Sequence, residues 1–261
     1  MCLISFAYKQ HAKASLVVLA NRDEFYNRPT QPMHWWQDRP ILAGLDLQAG
    51  GTWLGLSKTG RLAALTNYRQ YKEAQITEFN SPSRGSLVTD FLCSNYSAEQ
   101  WYQSVRQSLD RYEGFNLLLY DGDELSYLNN VHDCSLQTLK AGIYGLSNHS
   151  LNSAWPKVDY ARQQMHKIVA ESSVLDDGQI TDLLGSLSLK KVYPSHMLPN
   201  TGVPEQWEKL LSSPFISSQD YGTRCSTAVV IASNELVNVA ERTYSTGEDP
   251  KDLVFRFNLR S

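Results

Sequence analysis

The chain has 261 residues, of which 42% are hydrophobic and 20% charged, enough to bury one large core or two smaller ones. A net charge of −3 is no basic footprint, and no nucleic-acid partner is expected. No apolar run approaches the roughly 18 residues of a membrane span, and SLVVLA at 15–20 is too short for a secretory apolar segment, so a cytoplasmic protein is expected.

CLISFAY (2–8) and ASLVVLA (14–20) are apolar, β-prone runs joined by a polar stretch, and they predict a buried hairpin. TWLGLS (52–57) and RLAALTN (61–67) flank Lys58, Thr59 and Gly60, the pattern of a second hairpin. Ser81 and Pro82 open a helix, with Pro82 in its first turn. Ser97 and Gln100 form a capping box ahead of the helix WYQSVRQSL. GFNLLLYD (114–121) and ELSYLNN (124–130) predict strands around Gly122 and Asp123. Pro156 opens the next helix, in which Val158, Ala161, Met165 and Ile168 make one apolar face. QITDLLGSL (179–187) and EQWEKLL (205–211) are shorter helices, separated by a loop with three prolines over 190–204. The strand-like stretches 223–233, 236–244 and 252–259 complete the chain.

Most strands are joined by tight hairpins, which argues for antiparallel sheets with helices packed outside them, an α+β fold. No linker or repeat stands out, and residues 1–261 are read as a single domain. The four cysteines form no CxxC pair and the six histidines show no metal-ligand spacing, so free thiols and no metal centre are expected. Cys93 reads as the buried end of a helix.

The most informative stretch is ANRDEF (20–25), where Asn21, Arg22, Asp23 and Glu24 follow a buried strand. On composition it is a turn. Antiparallel pairing of the first hairpin, however, lays residues 21–24 beside Cys2. An arginine there lowers a thiol's pKa, and Asp23 can hold an α-ammonium. Adjacent strand residues point to opposite faces, so Arg22 and Asp23 share the thiol's face only where the strand has turned. Asn67 ends a predicted strand, Asn148 stands at a strand-to-loop boundary and Arg224 starts a strand. Amides so placed are plausible oxyanion donors, worth about 3 kcal/mol each in a well-studied hydrolase.

MCLI, ANRDE, GGTWLGL (50–56), LTNYR (65–69), GFNLLL, YGLSN (144–148), WPKV (155–158) and GTRCST (222–227) together resemble the NRDE family, which includes the transport and Golgi organisation 2 proteins. That family resembles the N-terminal-nucleophile hydrolases, a four-layer αββα sandwich of two antiparallel sheets with outer helices. It is similar in particular to the cysteine branch that cleaves bile-acid amides and penicillin V. The resemblance implies catalytic roles for Cys2, Arg22, Asp23, Asn67, Asn148 and Arg224. It implies hydrolysis of a small-molecule amide through a Cys2 thioester, with no cofactor. The base would be the α-amine of Cys2, freed by removal of Met1.

The resemblance supports a competing reading as well, a non-catalytic carrier of haem or acyl-CoA. Asn21, Arg22, Asp23 and Glu24 would then line the ligand site, with Arg22 or Arg224 on propionates or phosphates. His34, beside Trp35 and Trp36, is the candidate iron ligand, although that stretch also reads as an aromatic lid or core patch.

Overall fold

The computed structural model describes residues 2–69, 81–170 and 180–259. The chain divides into two compact units, one of Met1–Asn27 with Ala141–Ser261 and one of Arg28–Lys140.

The first unit holds β1 (Cys2–His11) and β2 (Ala14–Phe25). The second unit follows with β3 (Thr30–Trp35), β4 (Ile41–Asp46), β5 (Leu54–Ser57), β6 (Leu62–Asn67), α1 (Gly85–Cys93), α2 (Ala98–Val105), β7 (Phe115–Tyr120), β8 (Leu125–Asn129) and β9 (Leu136–Thr138). The chain then returns to the first unit with β10 (Gly142–Leu146), α3 (Pro156–Ala170), α4 (Ile180–Leu183), α5 (Glu205–Leu211), β11 (Tyr221–Ala232), β12 (Leu236–Thr243) and β13 (Lys251–Asn258). Each unit has one sheet, and all strand pairings in both are antiparallel. The α+β architecture expected from the hairpin-rich order is therefore present.

In the first unit the strand order is β10-β1-β2-β11-β12-β13. Its two central strands, β2 and β11, are twelve residues each and almost wholly buried. One face carries Leu3, Ala7, Val17, Leu19, Ala228 and Val230, which pack with Val158, Ala161, Met165 and Ile168 of α3. The 3-4-3 spacing read from the sequence is thus the core face of that helix, and Met165 is core filling. Burying each such side chain is worth about 1.5–3 kcal/mol. In the second unit the strands run β3 to β9 in chain order. Leu87, Val88, Phe91 and Leu92 of α1 and Trp101 of α2 cover one face, with Phe91 and Trp101 edge-to-face at 5.7 Å. The capping box at Ser97 and Gln100 is formed.

Several expectations need correction. β2 does not end at residue 20 but runs through Asn21–Glu24, because β11 supplies a partner along that whole stretch. α1 begins at Gly85 rather than at Ser81, where the chain lies against Gly51 with no room for a side chain: a Cβ on Gly51 would come within 2.8 Å of the Gly85 carbonyl carbon. Cys93 ends that helix exposed, not buried. The stretch containing His34 is the edge strand β3, where Pro32 is tolerated at a register shift between Gln31 and His34. Of the helix expected over 179–187, Ile180–Leu183 is helical and Gln179 lies outside the described residues.

α3 packs closely on β10. A Cβ added at Gly145 would lie 2.7 Å from Val158 Cγ1 and 2.8 Å from Arg162 Cγ. Val158 is fully buried and cannot yield, so Gly145→Ala is expected to destabilise the protein by about 1–3 kcal/mol in urea unfolding.

Candidate active site

The register of the first unit's sheet builds the site. In the β1–β2 hairpin Cys2 stands directly opposite Arg22, and Leu3 opposite Asn21. On the other side of β2, Cys225 of β11 is opposite Arg22 and Ser226 is opposite Asn21. Directly opposed residues share a face, so Cys2, Arg22 and Cys225 form a row across three strands. Arg22 sits between the two thiols.

Strand alternation then divides the NRDE tetrad. Arg22 and Glu24 lie on the thiol's face, with Arg22 Nη2 4.0 Å from a Glu24 carboxylate oxygen. Asn21 and Asp23 turn to the face covered by helices. Asn21 is fully buried, and its amide donates to the carbonyls of Leu187 (3.0 Å) and Pro214 (2.9 Å) while accepting from Ser226 Oγ (2.7 Å). It is a latch between the sheet and the segments packed on it. Asp23 is equally buried and accepts a 2.7 Å hydrogen bond from Thr223 Oγ1. Thr223 in turn accepts from the Ile216 amide at 2.9 Å.

An irregularity in β11 makes this possible. The register with β2 shifts between Thr223, opposite Asp23, and Cys225, opposite Arg22, which leaves Arg224 as the extra residue of a bulge. The extra residue lets Thr223 and Ser226 face the helices while Cys225 faces Arg22. Arg224 itself donates from Nη1 to the Phe25 carbonyl at 2.8 Å. Burial and the neighbouring Arg22 both pull its guanidinium pKa down. Two guanidinium groups therefore stand close together at this end of the sheet.

The chain after β10 approaches from the other edge. Ser147 Oγ donates to the Cys2 carbonyl at 2.9 Å and also reaches Asn148 Oδ1 at 3.2 Å, and both residues are fully buried. The structure thus gathers Cys2, Arg22, Asp23, Glu24, Asn148 and Arg224 in one unit, with Arg22 and Glu24 on the thiol's face and Asn21 and Asp23 on the opposite face of the sheet. Asn67, the last residue of β6, and His34, on β3, belong to the second unit. His34 Nδ1 lies 2.8 Å from the Pro32 carbonyl.

The electrostatics correct one expectation. Arg22 does favour the Cys2 thiolate, but it is outweighed. Burial, reinforced by Asp23, pushes the thiol up to about 11. Cys2 is therefore held toward its protonated form at neutral pH. Burial also raises Asp23, with Lys157 and the Thr223 hydrogen bond opposing the rise. Tyr221 is pushed well above its ordinary value by burial and by Asp23, Glu24 and Cys2. Cys225 is likewise raised by burial and by Glu241, to which its thiol hydrogen-bonds.

Sequence reasoning passed over Ser147, Lys157, Tyr221, Thr223, Cys225 and Glu241. The signal within reach was Lys157, a lysine between Pro156 and Val158 and four residues before Ala161, hence beside the apolar face of its helix.

The family model for Transport and Golgi organisation 2 matches residues 1–246. The chain belongs to this family. It is 33% identical over 264 residues to the Transport and Golgi organization 2 homolog of Mus musculus, covering 93% of each chain. It is 32% identical over 265 residues to the Homo sapiens homolog, again over 93% of each. Among solved structures it is similar to a Caenorhabditis elegans N-acylethanolamine-hydrolyzing acid amidase ortholog, with a TM-score of 0.48 and 11% identity over 88% of this chain and 92% of that one. It is also similar to a mutant conjugated bile acid hydrolase from Clostridium perfringens, with a TM-score of 0.47 and 8% identity over 100% of this chain and 93% of that one. No helix among the described residues is long and apolar enough to cross a membrane.

Two outcomes follow from the site. Asn21→Ala strands two buried carbonyls and a buried hydroxyl, each worth about 1–3 kcal/mol when left unsatisfied, and is expected to cost about 2–4 kcal/mol in urea unfolding. While Met1 remains attached, Cys2 is expected to react slowly with iodoacetamide at pH 7 and to speed up only as pH approaches 11, read by mass spectrometry of the N-terminal peptide.

Proposed function

We propose that this protein is an N-terminal-nucleophile hydrolase that cleaves a small-molecule amide through a Cys2 thioester. The observation that carries the reading is the seating of Cys2. It opens a buried strand, with Arg22 directly opposite and its carbonyl anchored by Ser147. A thiol raised to about 11 does not ionise unaided at neutral pH. Removal of Met1 would place an α-amine, with an ordinary pKa of about 7.7–8.0, on the same residue.

The steps balance without any cofactor. The Cys2 sulfur attacks the amide carbon as its proton passes to the α-amine. The carbonyl oxygen takes up negative charge, and the Asn148 amide is the described group best suited to donate to it. When the C–N bond breaks, the new α-ammonium returns its proton to the departing amine and a thioester remains. Water then attacks that thioester with the α-amine again accepting a proton, and the acid and the free thiol are released. Arg22 and Arg224 favour a substrate that carries an anionic group near the scissile bond.

The test begins with the intact mass of the protein from its own cells, which should show loss of Met1. N-acyl amino acids and phenoxyacetyl amides are then offered to the wild type and to Cys2→Ala. Hydrolysis by the first and none by the second is expected. Retention of Met1, or equal turnover by Cys2→Ala, sinks the mechanism.

One observation supports a second reading, a carrier of haem or acyl-CoA as cargo. It is the pair of guanidiniums, Arg22 and Arg224, beside a thiol that is not ionised. Under this reading Cys2→Ala binds haem or palmitoyl-CoA as tightly as the wild type in a fluorescence titration, while Arg224→Ala weakens binding about tenfold, the effect of losing one charge-assisted contact of about 1.5 kcal/mol.

A further inference from the structure

The first unit's sheet ends on a long exposed strand. β13 is its last strand, and among the described residues no strand pairs with its outer side. The other sheet edges are blunted: β3 contains Pro32, β9 has three residues and β10 lies under α3. β13 runs for eight residues, Lys251–Asn258, with neither proline nor glycine. Leu253 is 36% and Val254 55% exposed. A long apolar edge is a template for another strand, and proteins ordinarily protect it with charges.

The hydrogen-bond phase of this edge is fixed from both sides of β12. The Leu259 amide donates to the Glu235 carbonyl at 3.1 Å, and the Tyr244 amide donates to the Arg224 carbonyl at 2.8 Å. With the registers of β12 on β11 and on β13, both bonds place Lys251, Leu253, Phe255 and Phe257 in hydrogen-bonded pairs with β12. The main-chain groups of Asp252, Val254 and Arg256 therefore point outward. These three residues share one face of the sheet, as alternation requires. On that face Val254 carries the core row of Ala228 and Ala240 out to the open edge. Asp252 accepts from Arg242 Nε and Nη2, both at 2.7 Å.

We propose that β13 pairs antiparallel with β13 of a second copy of this chain, about a two-fold axis at Val254, and joins the two sheets into one. Pairing at this edge sets outward-facing residues opposite one another, and charge selects the register. An axis at Asp252 or at Arg256 brings like charges together. An axis at Leu253 sets Asp252 against Val254, and one at Phe255 sets Arg256 against Val254. With the axis at Val254, Asp252 of each copy faces Arg256 of the other, Leu253 faces Phe255, and Val254 meets its own counterpart. Asp252 remains able to serve both arginines, because a carboxylate has about four acceptor sites. The charges that protect this edge from other strands thus admit a copy of itself in one register. The contact is isologous, and it stands independently of both functional readings.

The experiment is sedimentation velocity on the full-length protein at concentrations up to about 100 μM, well above a micromolar Kd, with circular dichroism of each variant to establish folding. The wild type should populate a dimer as concentration rises. Val254→Pro removes an N–H that points outward and leaves the bonds to β12 in place, so it should fold and stay monomeric. Asp252→Lys and Arg256→Glu should each weaken dimerisation about tenfold, since the two-fold axis makes every change act twice. Asp252→Lys/Arg256→Glu restores opposite charges and should recover the wild-type affinity to within about threefold. If Val254→Pro does not fold, the charge series decides alone. A wild type that stays monomeric leaves this edge to a foreign strand and overturns the inference. So does a dimer that a folded Val254→Pro leaves intact, or a double reversal that dimerises no better than the single ones.

Discussion

The pairing of Cys2 with Arg22 is the constraint on which the rest of the site depends. The side-chain period of a strand is two, so a slip of one residue would move every member of the NRDE tetrad to the wrong face. In the observed register Arg22 and Glu24 join the thiol, while Asn21 and Asp23 face the helices. The register is enforced from both sides. Leu3, Ala7, Val17 and Leu19 must reach the core under α3, and Asn21 must reach the carbonyls of Leu187 and Pro214. The thiol's charged neighbours and a folding latch thus share four consecutive residues.

Burial sets the chemistry of this site more than proximity does. An arginine opposite a thiol is ordinarily reason enough to expect a thiolate. Here the loss of hydration acts on Cys2, Asp23, Tyr221 and Cys225 alike, and all four are held toward their neutral forms. Thr223, on the strand beside Asp23, opposes that rise by donating a hydrogen bond to its carboxylate, whereas Glu241 adds to the rise at Cys225.

Much of the fold was legible in the amino-acid sequence. Paired apolar runs around tight turns specified the hairpins β1–β2, β5–β6 and β7–β8, and the 3-4-3 spacing after Pro156 specified the core face of α3. The juxtaposition of Cys2 with the NRDE tetrad followed from hairpin geometry alone. Local pattern failed where a distant partner decides the outcome. Four polar residues in a row read as a turn unless β11 is known to pair with them. Pro32 conceals β3, since only its place at a sheet edge makes proline tolerable there. Ser81 and Pro82 signal a helix start that the Gly51–Gly85 contact moves to Gly85.

The sequence by itself determined which residue types could do chemistry, because nucleophile, cation and carboxylate are properties of side chains. It also determined that Cys2 and Arg22 would meet, because a hairpin is a local structure. The tertiary structure alone decided in which direction burial moves each titratable group and that β11 pairs along the whole NRDE tetrad. Those outcomes depend on the water excluded and the charges gathered when α3 and β11 pack against β1 and β2, and no local stretch of sequence encodes either.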